Sequence, residues 1–104
     1  MGIFTGKQIK IYVDDLRPKP AEFNVVVRST NEAKKIIEEV EKDGGEIVLI
    51  SLDHDAGDFE KDGGDFIHVL DFLVERETFY PIAFHTANPV GRATMQRMID
   101  RFWP

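Results

Sequence analysis

The run Ile47-Val48-Leu49-Ile50-Ser51-Leu52 constrains this chain more than any other segment. Almost continuous apolar character over so short a stretch predicts a strand buried on both faces, the kind found in parallel sheets covered by helices. The run stops abruptly at Asp53-His54-Asp55. Two other strand-like segments stop in the same way: Gln8–Val13 gives way to Asp14-Asp15, and Tyr80–Phe84 to His85-Thr86-Ala87-Asn88. Parallel α/β sheets collect ligands at the carboxyl ends of their strands, so these motifs converge on one edge.

The remaining segments support that architecture. Ile9, Ile11 and Val13 alternate with Gln8, Lys10 and Tyr12, which predicts a strand with one polar face. Phe23–Arg28 is a β-branched run and a second strand. Ser29 and Glu32 form a capping box that opens a helix carrying Ile36, Ile37 and Val40 and closing near Asp43-Gly44-Gly45. A second helix runs from Phe66 to about Arg76 on the stripe Phe66, Ile67, Leu70, Leu73, Val74. Asn88-Pro89 starts a third, whose buried face is Met95, Met98, Ile99 and Phe102. Only seven residues separate Asp15 from Phe23, and two are proline. A crossover helix does not fit there, so the first two strands are joined either by an extended parallel crossover or as an antiparallel pair.

One domain spanning residues 1–104 is expected, with a loose start at 1–6 and an acidic, glycine-hinged, lid-like loop at 55–65. The absence of cysteine excludes thiolate ligands and is compatible with a reducing cytoplasm. No apolar run is long enough for a membrane span. A net charge of −6 argues against a broad DNA-binding surface but not against a small phosphate ligand.

Asp14, Asp15, Asp53 and Asp55 would crowd together at the strand ends, and carboxylates that close need a compensating cation. A hard, oxygen-ligated ion such as Mg²⁺ or Mn²⁺ answers that need, and Zn²⁺ becomes credible with His54 or His85 in range. The alternative is that one or two of these aspartates only cap loops. His54 and His85 offer a base and an acid for proton transfer, although His54 alone is equally readable as a structural hydrogen-bonder. His68, inside the second helix, reads as structural. Asn88, Val90, Gly91 and Arg92 form a phosphate-binding candidate: a helix N-terminus, a glycine for close approach and an arginine fork. A plain helix cap with a surface arginine is the duller reading. Taken from Asp58, a calcium-loop frame puts Val69 where glutamate is required, and it fails.

Lys10–Asp15, Ile50–Asp55 and His85–Arg92, in this order and spacing, resemble the cyclic-phosphate processing receiver-like family over nearly the whole chain. The resemblance implies a reduced flavodoxin-like or receiver-like α/β fold. It carries a four-stranded, mainly parallel sheet of order 2-1-3-4 with three helices mostly on one face. It also implies a role on cyclic-phosphate ends of RNA. Compared with phosphoacceptor receivers, Asp14 and Asp15 look like the metal-binding acidic pair, Asp53 like the phosphoacceptor and Thr86 like the switch hydroxyl. The first helix, and the fifth strand with its lysine and helix, have no counterpart in these 104 residues. One sheet face is therefore expected to be open, with a second subunit or the Phe102-Trp103-Pro104 tail over its apolar part.

Three functions compete at this point. A metal-assisted phosphoesterase acting on nucleotide or RNA phosphates leads, with Asp53, His54, His85 and Thr86 as its catalytic set. A signalling module phosphorylated on Asp53 and a non-catalytic, homodimeric interaction module are the alternatives.

Overall fold

A computed structural model of the chain describes residues 2–104. Four strands, β1 (Gln8–Val13), β2 (Val25–Val27), β3 (Glu46–Leu52) and β4 (Ile82–Phe84), form one sheet of order β2-β1-β3-β4. Every pair is parallel. Three α-helices accompany it, α1 (Thr30–Lys42), α2 (Ile67–Arg76) and α3 (Pro89–Phe102), and the loop after β3 holds one 3₁₀ turn at Gly57–Phe59. This is the receiver-like α/β arrangement that the sequence resemblance implied.

The helix-free connection from β1 to β2 is a parallel crossover. Val13 pairs with Val27, and the ladder extends outward through Asn24, whose N–H donates to the Lys10 carbonyl (3.0 Å) while its Oδ1 accepts from the Lys10 N–H (2.7 Å). The second and fourth strands are shorter than the runs Phe23–Arg28 and Tyr80–Phe84 suggest, because only three residues of each find ladder partners.

A register shift sits between β1 and β3. Ile9 pairs with Ile47 but Lys10 pairs with Leu49, so β3 carries Val48 as an extra residue. That bulge changes the pleat's parity, and Ile47 and Ile50, an odd step apart, both reach the helical side. There they meet Ile9, Ile11, Val13, Val27, Leu52 and the buried helix faces: Ala33, Ile37 and Val40 from α1, Val69, Leu70 and Leu73 from α2, and Met95 from α3. Each fully buried aliphatic side chain of this kind stabilises the fold by roughly 1.5–3 kcal/mol through removal from water.

The helix termini follow their sequence signals. Ser29 Oγ accepts from the Glu32 N–H at 3.1 Å, while Glu32 reaches back one residue beyond the cap, to the Arg28 N–H at 3.0 Å. The loop after β3 is tied to this terminus. Ser29 Oγ donates to Asp62 Oδ2 (2.5 Å), the Asn31 side chain donates to Asp62 Oδ1 (3.0 Å), and Thr30 Oγ1 donates to the Gly64 carbonyl (3.0 Å).

The opposite sheet face is only partly apolar. Tyr12 and Phe23 are buried there, outside the main core, with ring centroids 5.0 Å apart in an edge-on contact. The C-terminal tail takes a different place from the one expected. Trp103 packs edge-on against Phe79 and against the main core, and its indole N–H donates to the Tyr80 carbonyl at 2.8 Å. What covers Tyr12 is Phe23 from the crossover and, on the β4 side, His85.

Candidate functional site

Beyond each strand end the ladder continues for one residue. The Asp14 N–H donates to the Val27 carbonyl, Asp53 to Val13 and His85 to Leu52, at 3.1, 3.0 and 3.0 Å. These three bonds set Asp14, Asp53 and His85 side by side across the sheet edge. Val13, Leu52 and Phe84 pack with the helical core, so alternation turns the next residue of each strand toward the helix-free face. Their ligand atoms approach within 4.8 Å of one another.

Asp14 is fully buried and its oxygens are saturated. Oδ1 accepts from the backbone N–H groups of Leu16 (2.9 Å) and Arg17 (2.8 Å). Oδ2 accepts from Arg17 Nη1 (3.1 Å) and faces His85 Nε2 at 2.9 Å. Burial alone would raise this carboxyl's pKa, but the Arg17 and Leu16 amides and the His85 ring together hold it below the usual carboxylate range. Asp14 is thus a buried anion, compensated by hydrogen bonds.

His85 has both ring nitrogens engaged. Its ring stacks on Tyr12 (centroids 4.1 Å, planes 11° apart), and Nδ1 lies 2.8 Å from Ser51 Oγ. An ionised carboxylate only accepts, so Nε2 carries the ring proton toward Asp14 and Ser51 donates to Nδ1. Burial pushes the imidazole pKa down, outweighing the opposing pull of Asp14, and this favours the neutral ring. The geometry makes His85 a fixed strut, with no ring nitrogen left for an ion while these two bonds hold.

Arg17 completes the cluster. Its Nη1 also donates to the His85 carbonyl (3.0 Å) and lies 3.6 Å from Asp53 Oδ2. The compensating cation that the aspartates require is supplied in this structure by the chain itself. Nothing in the β1 motif marks Arg17 for this. Its clues are an arginine three residues after a buried aspartate and two neighbouring prolines that restrict the connection. Ser51 was hidden inside the apolar run.

The other predicted residues form a second group. His54 Nδ1 lies 2.9 Å from Asp55 Oδ1, and with Asp65 they make a separate cluster. Hydrogen bonding to His54, with a further contribution from Asn88, lowers the Asp55 pKa despite partial desolvation. Asp55 therefore lies apart from Asp14 and Asp53, and the two histidines fall in different clusters. Asp15 leans over Gly57, where any side chain would run into its carboxylate. Desolvation, and then the charges of Asp14 and Asp53, raise its pKa, so it borders the first cluster.

At the start of α3, Asn88 Oδ1 accepts from the Gly91 N–H (2.9 Å), and the Asn88 N–H donates to Thr86 Oγ1 (3.1 Å). Pro89 has no N–H, and Arg92 N–H donates to the Asn88 carbonyl. Among the described residues this leaves Val90 as the first-turn amide without a protein partner, a narrower anion cup than the bare sequence implies. Gly91 serves a different neighbour: a Cβ there would collide with the His54 ring. Arg92 is exposed, and its guanidinium has no hydrogen bond or ion pair among the described residues.

No helix among the described residues is long and apolar enough to cross a membrane. A family model described as the cyclic-phosphate processing receiver domain matches residues 9–101. Comparison with curated proteins and with solved structures gives no match.

Proposed function

The chain belongs to the cyclic-phosphate processing receiver family, and from that premise we propose a metal-assisted phosphoesterase acting on cyclic or terminal phosphates of nucleotides or RNA ends. The observation that carries this reading is the lateral row of Asp14, Asp53 and His85 at the sheet edge, already sharing one cation, Arg17. A donor set that holds a guanidinium between two carboxylates fits a hard cation. Asp14 and Asp53 would hold it, with Asp15 beside them. The oxygen donors favour Mg²⁺ or Mn²⁺ over Zn²⁺, because both nitrogens of His85 are engaged. When bound, such an ion supplies Lewis-acid polarisation of a phosphoryl oxygen.

The chain's own residues divide the remaining work. Ser51 and Tyr12 fix His85, and His85 in turn fixes Asp14. Arg92 and the Val90 amide stand at the neighbouring helix start as anchors for phosphate charge. His54, oriented through Nδ1 by Asp55, keeps Nε2 without a protein partner among the described residues, which supports it as the group that carries a proton.

The test is turnover of a 2′,3′-cyclic nucleotide with Mg²⁺ or Mn²⁺ by the unaltered chain and by Asp53→Ala and Arg92→Ala. Activity in the parent, with loss of roughly a hundredfold or more in both variants, supports the assignment. Undiminished turnover in either folded variant overturns its place in the site.

A further inference from the structure

We propose that Arg17 is the exchangeable cation of the strand-end site. Its guanidinium neutralises Asp14 and Asp53 in the arrangement seen here, and swings onto a substrate phosphate when a divalent ion takes over those carboxylates. This deepens, and rests on, the phosphoesterase reading above.

Arg17 is built for such a move. Its main chain is clamped: the N–H donates to Asp14 Oδ1 (2.8 Å), and the carbonyl accepts from Arg28 Nη1 (2.6 Å). Arg28 also donates to the Asp14 carbonyl (3.1 Å), which fixes the whole turn from behind. Pro18 follows directly and restricts the backbone further. The side chain is freer. It is 44% exposed, and its contacts with Asp14, Asp53 and the His85 carbonyl all run through the single nitrogen Nη1. Nε and Nη2 meet no carboxylate or carbonyl among the described residues, and only the Tyr12 phenol stands beside the guanidinium, so most of the fork suited to a phosphate is uncommitted.

The carboxylates enforce exclusivity. Asp14 Oδ2 already serves both Arg17 Nη1 and His85 Nε2, while Oδ1 serves two amides. A carboxylate offers about four lone-pair positions, so Asp14 cannot take a further partner without giving one up. The amides belong to the rigid turn, and His85 is held by Ser51 and by stacking on Tyr12. The exposed guanidinium is the partner that can leave. Like charges cannot share the gap between Asp14 and Asp53 closely, and a guanidinium released there stands beside the place where a phosphate would meet the metal.

Calorimetric titration of the full chain with Mn²⁺ alone, without nucleotide, tests the exchange directly. Arg17→Gln, which removes the charge and keeps a polar side chain, is expected to bind Mn²⁺ about tenfold more tightly than the parent. Arg17→Lys, which keeps the charge, is expected to stay within about twofold of the parent. In a second titration, with saturating Mn²⁺ and a 2′,3′-cyclic nucleotide, Arg17→Gln is expected to bind the nucleotide about tenfold more weakly. Equal or weaker Mn²⁺ binding by folded Arg17→Gln, or absence of Mn²⁺ binding in all three proteins, overturns the proposal. Circular dichroism of each variant establishes folding. The two readings fail separately. Tighter Mn²⁺ binding in Arg17→Gln without turnover in the parent removes the phosphoesterase and keeps the exchange. Turnover in the parent with no change in Mn²⁺ affinity does the reverse.

Discussion

His85 Nε2 lies 2.9 Å from Oδ2 of the fully buried Asp14, across 71 positions of sequence. The contact ties β4 to β1 over the intervening β3, and it depends on Asp14 remaining an anion with every oxygen position used. Asp14→Ala leaves two backbone amides and His85 Nε2 without their acceptor and takes from Arg17 Nη1 one of its partners, at a cost of about 3–5 kcal/mol. Asp14→Asn keeps one acceptor oxygen and is expected to lose less. Urea unfolding midpoints of the two variants give the ranking, and equal losses would show that the charge and not the acceptor geometry stabilises this turn.

Gly91 offers a second test, because propensity and packing disagree there. Alanine is favoured over glycine inside a helix by about 1 kcal/mol. At this position, however, the added methyl meets the His54 ring. Gly91→Ala is therefore expected to destabilise by about 1–3 kcal/mol through overpacking. In a His54→Ala background the obstruction is gone, and the same change is expected to become neutral or stabilising. A thermal-unfolding double-mutant cycle measures the coupling, and additive effects would refute the contact.

How much of this was legible in the sequence follows from how local each signal is. The apolar run of β3, the Ser29 cap and the Asn88-Pro89 helix start are short-range patterns, and the structure places each near its expected position. The strand-end row was legible because a parallel sheet aligns its carboxyl ends whatever the loops do. Three things were not. The extra residue Val48 shifts β3's parity, and no alternation rule announces it. Ser51 reads as a break in an apolar strand until His85 arrives beside it from β4. Arg17 reads as a loop cation, since its partners Asp53 and the His85 carbonyl come from other strands. Each of these depends on tertiary register, which a single sequence does not display.

Ser29 joins two structures with one hydroxyl. It accepts from the Glu32 N–H as the α1 cap and donates to Asp62 in the loop after β3. Ser29→Ala is expected to cost about 1–2 kcal/mol from the cap alone. The loop connection adds a local signature: faster amide hydrogen exchange at Asn31, whose N–H donates to the Asp62 carbonyl, and at Gly64, whose N–H donates to the Glu60 carbonyl within the same loop. Replacement by threonine is expected to retain most of both. If exchange at these amides is unchanged in Ser29→Ala, the hydroxyl acts on the helix only.

Tyr80 and Glu41 supply a pH-dependent contribution remote from the site. The phenol donates to the Glu41 carboxylate, which also pairs with Arg76. Burial first, then the hydrogen bond and the charge of Glu41, push the phenol's pKa from 10.0 up to about 12. The folded state therefore keeps its proton at pH values where the unfolded chain has begun to lose it. Between those two values the unfolded state binds fewer protons, and stability falls as pH rises. The Tyr80 contribution is thus complete below the unfolded value and is lost as pH climbs through the folded one. Comparing urea midpoints of the parent and Tyr80→Phe at about pH 9 and about pH 11 isolates it, because the lysines titrate alike in both chains. The parent's advantage over Tyr80→Phe is expected to shrink at the higher pH. An advantage that is constant or growing would show that the phenol does not hold its proton against Glu41.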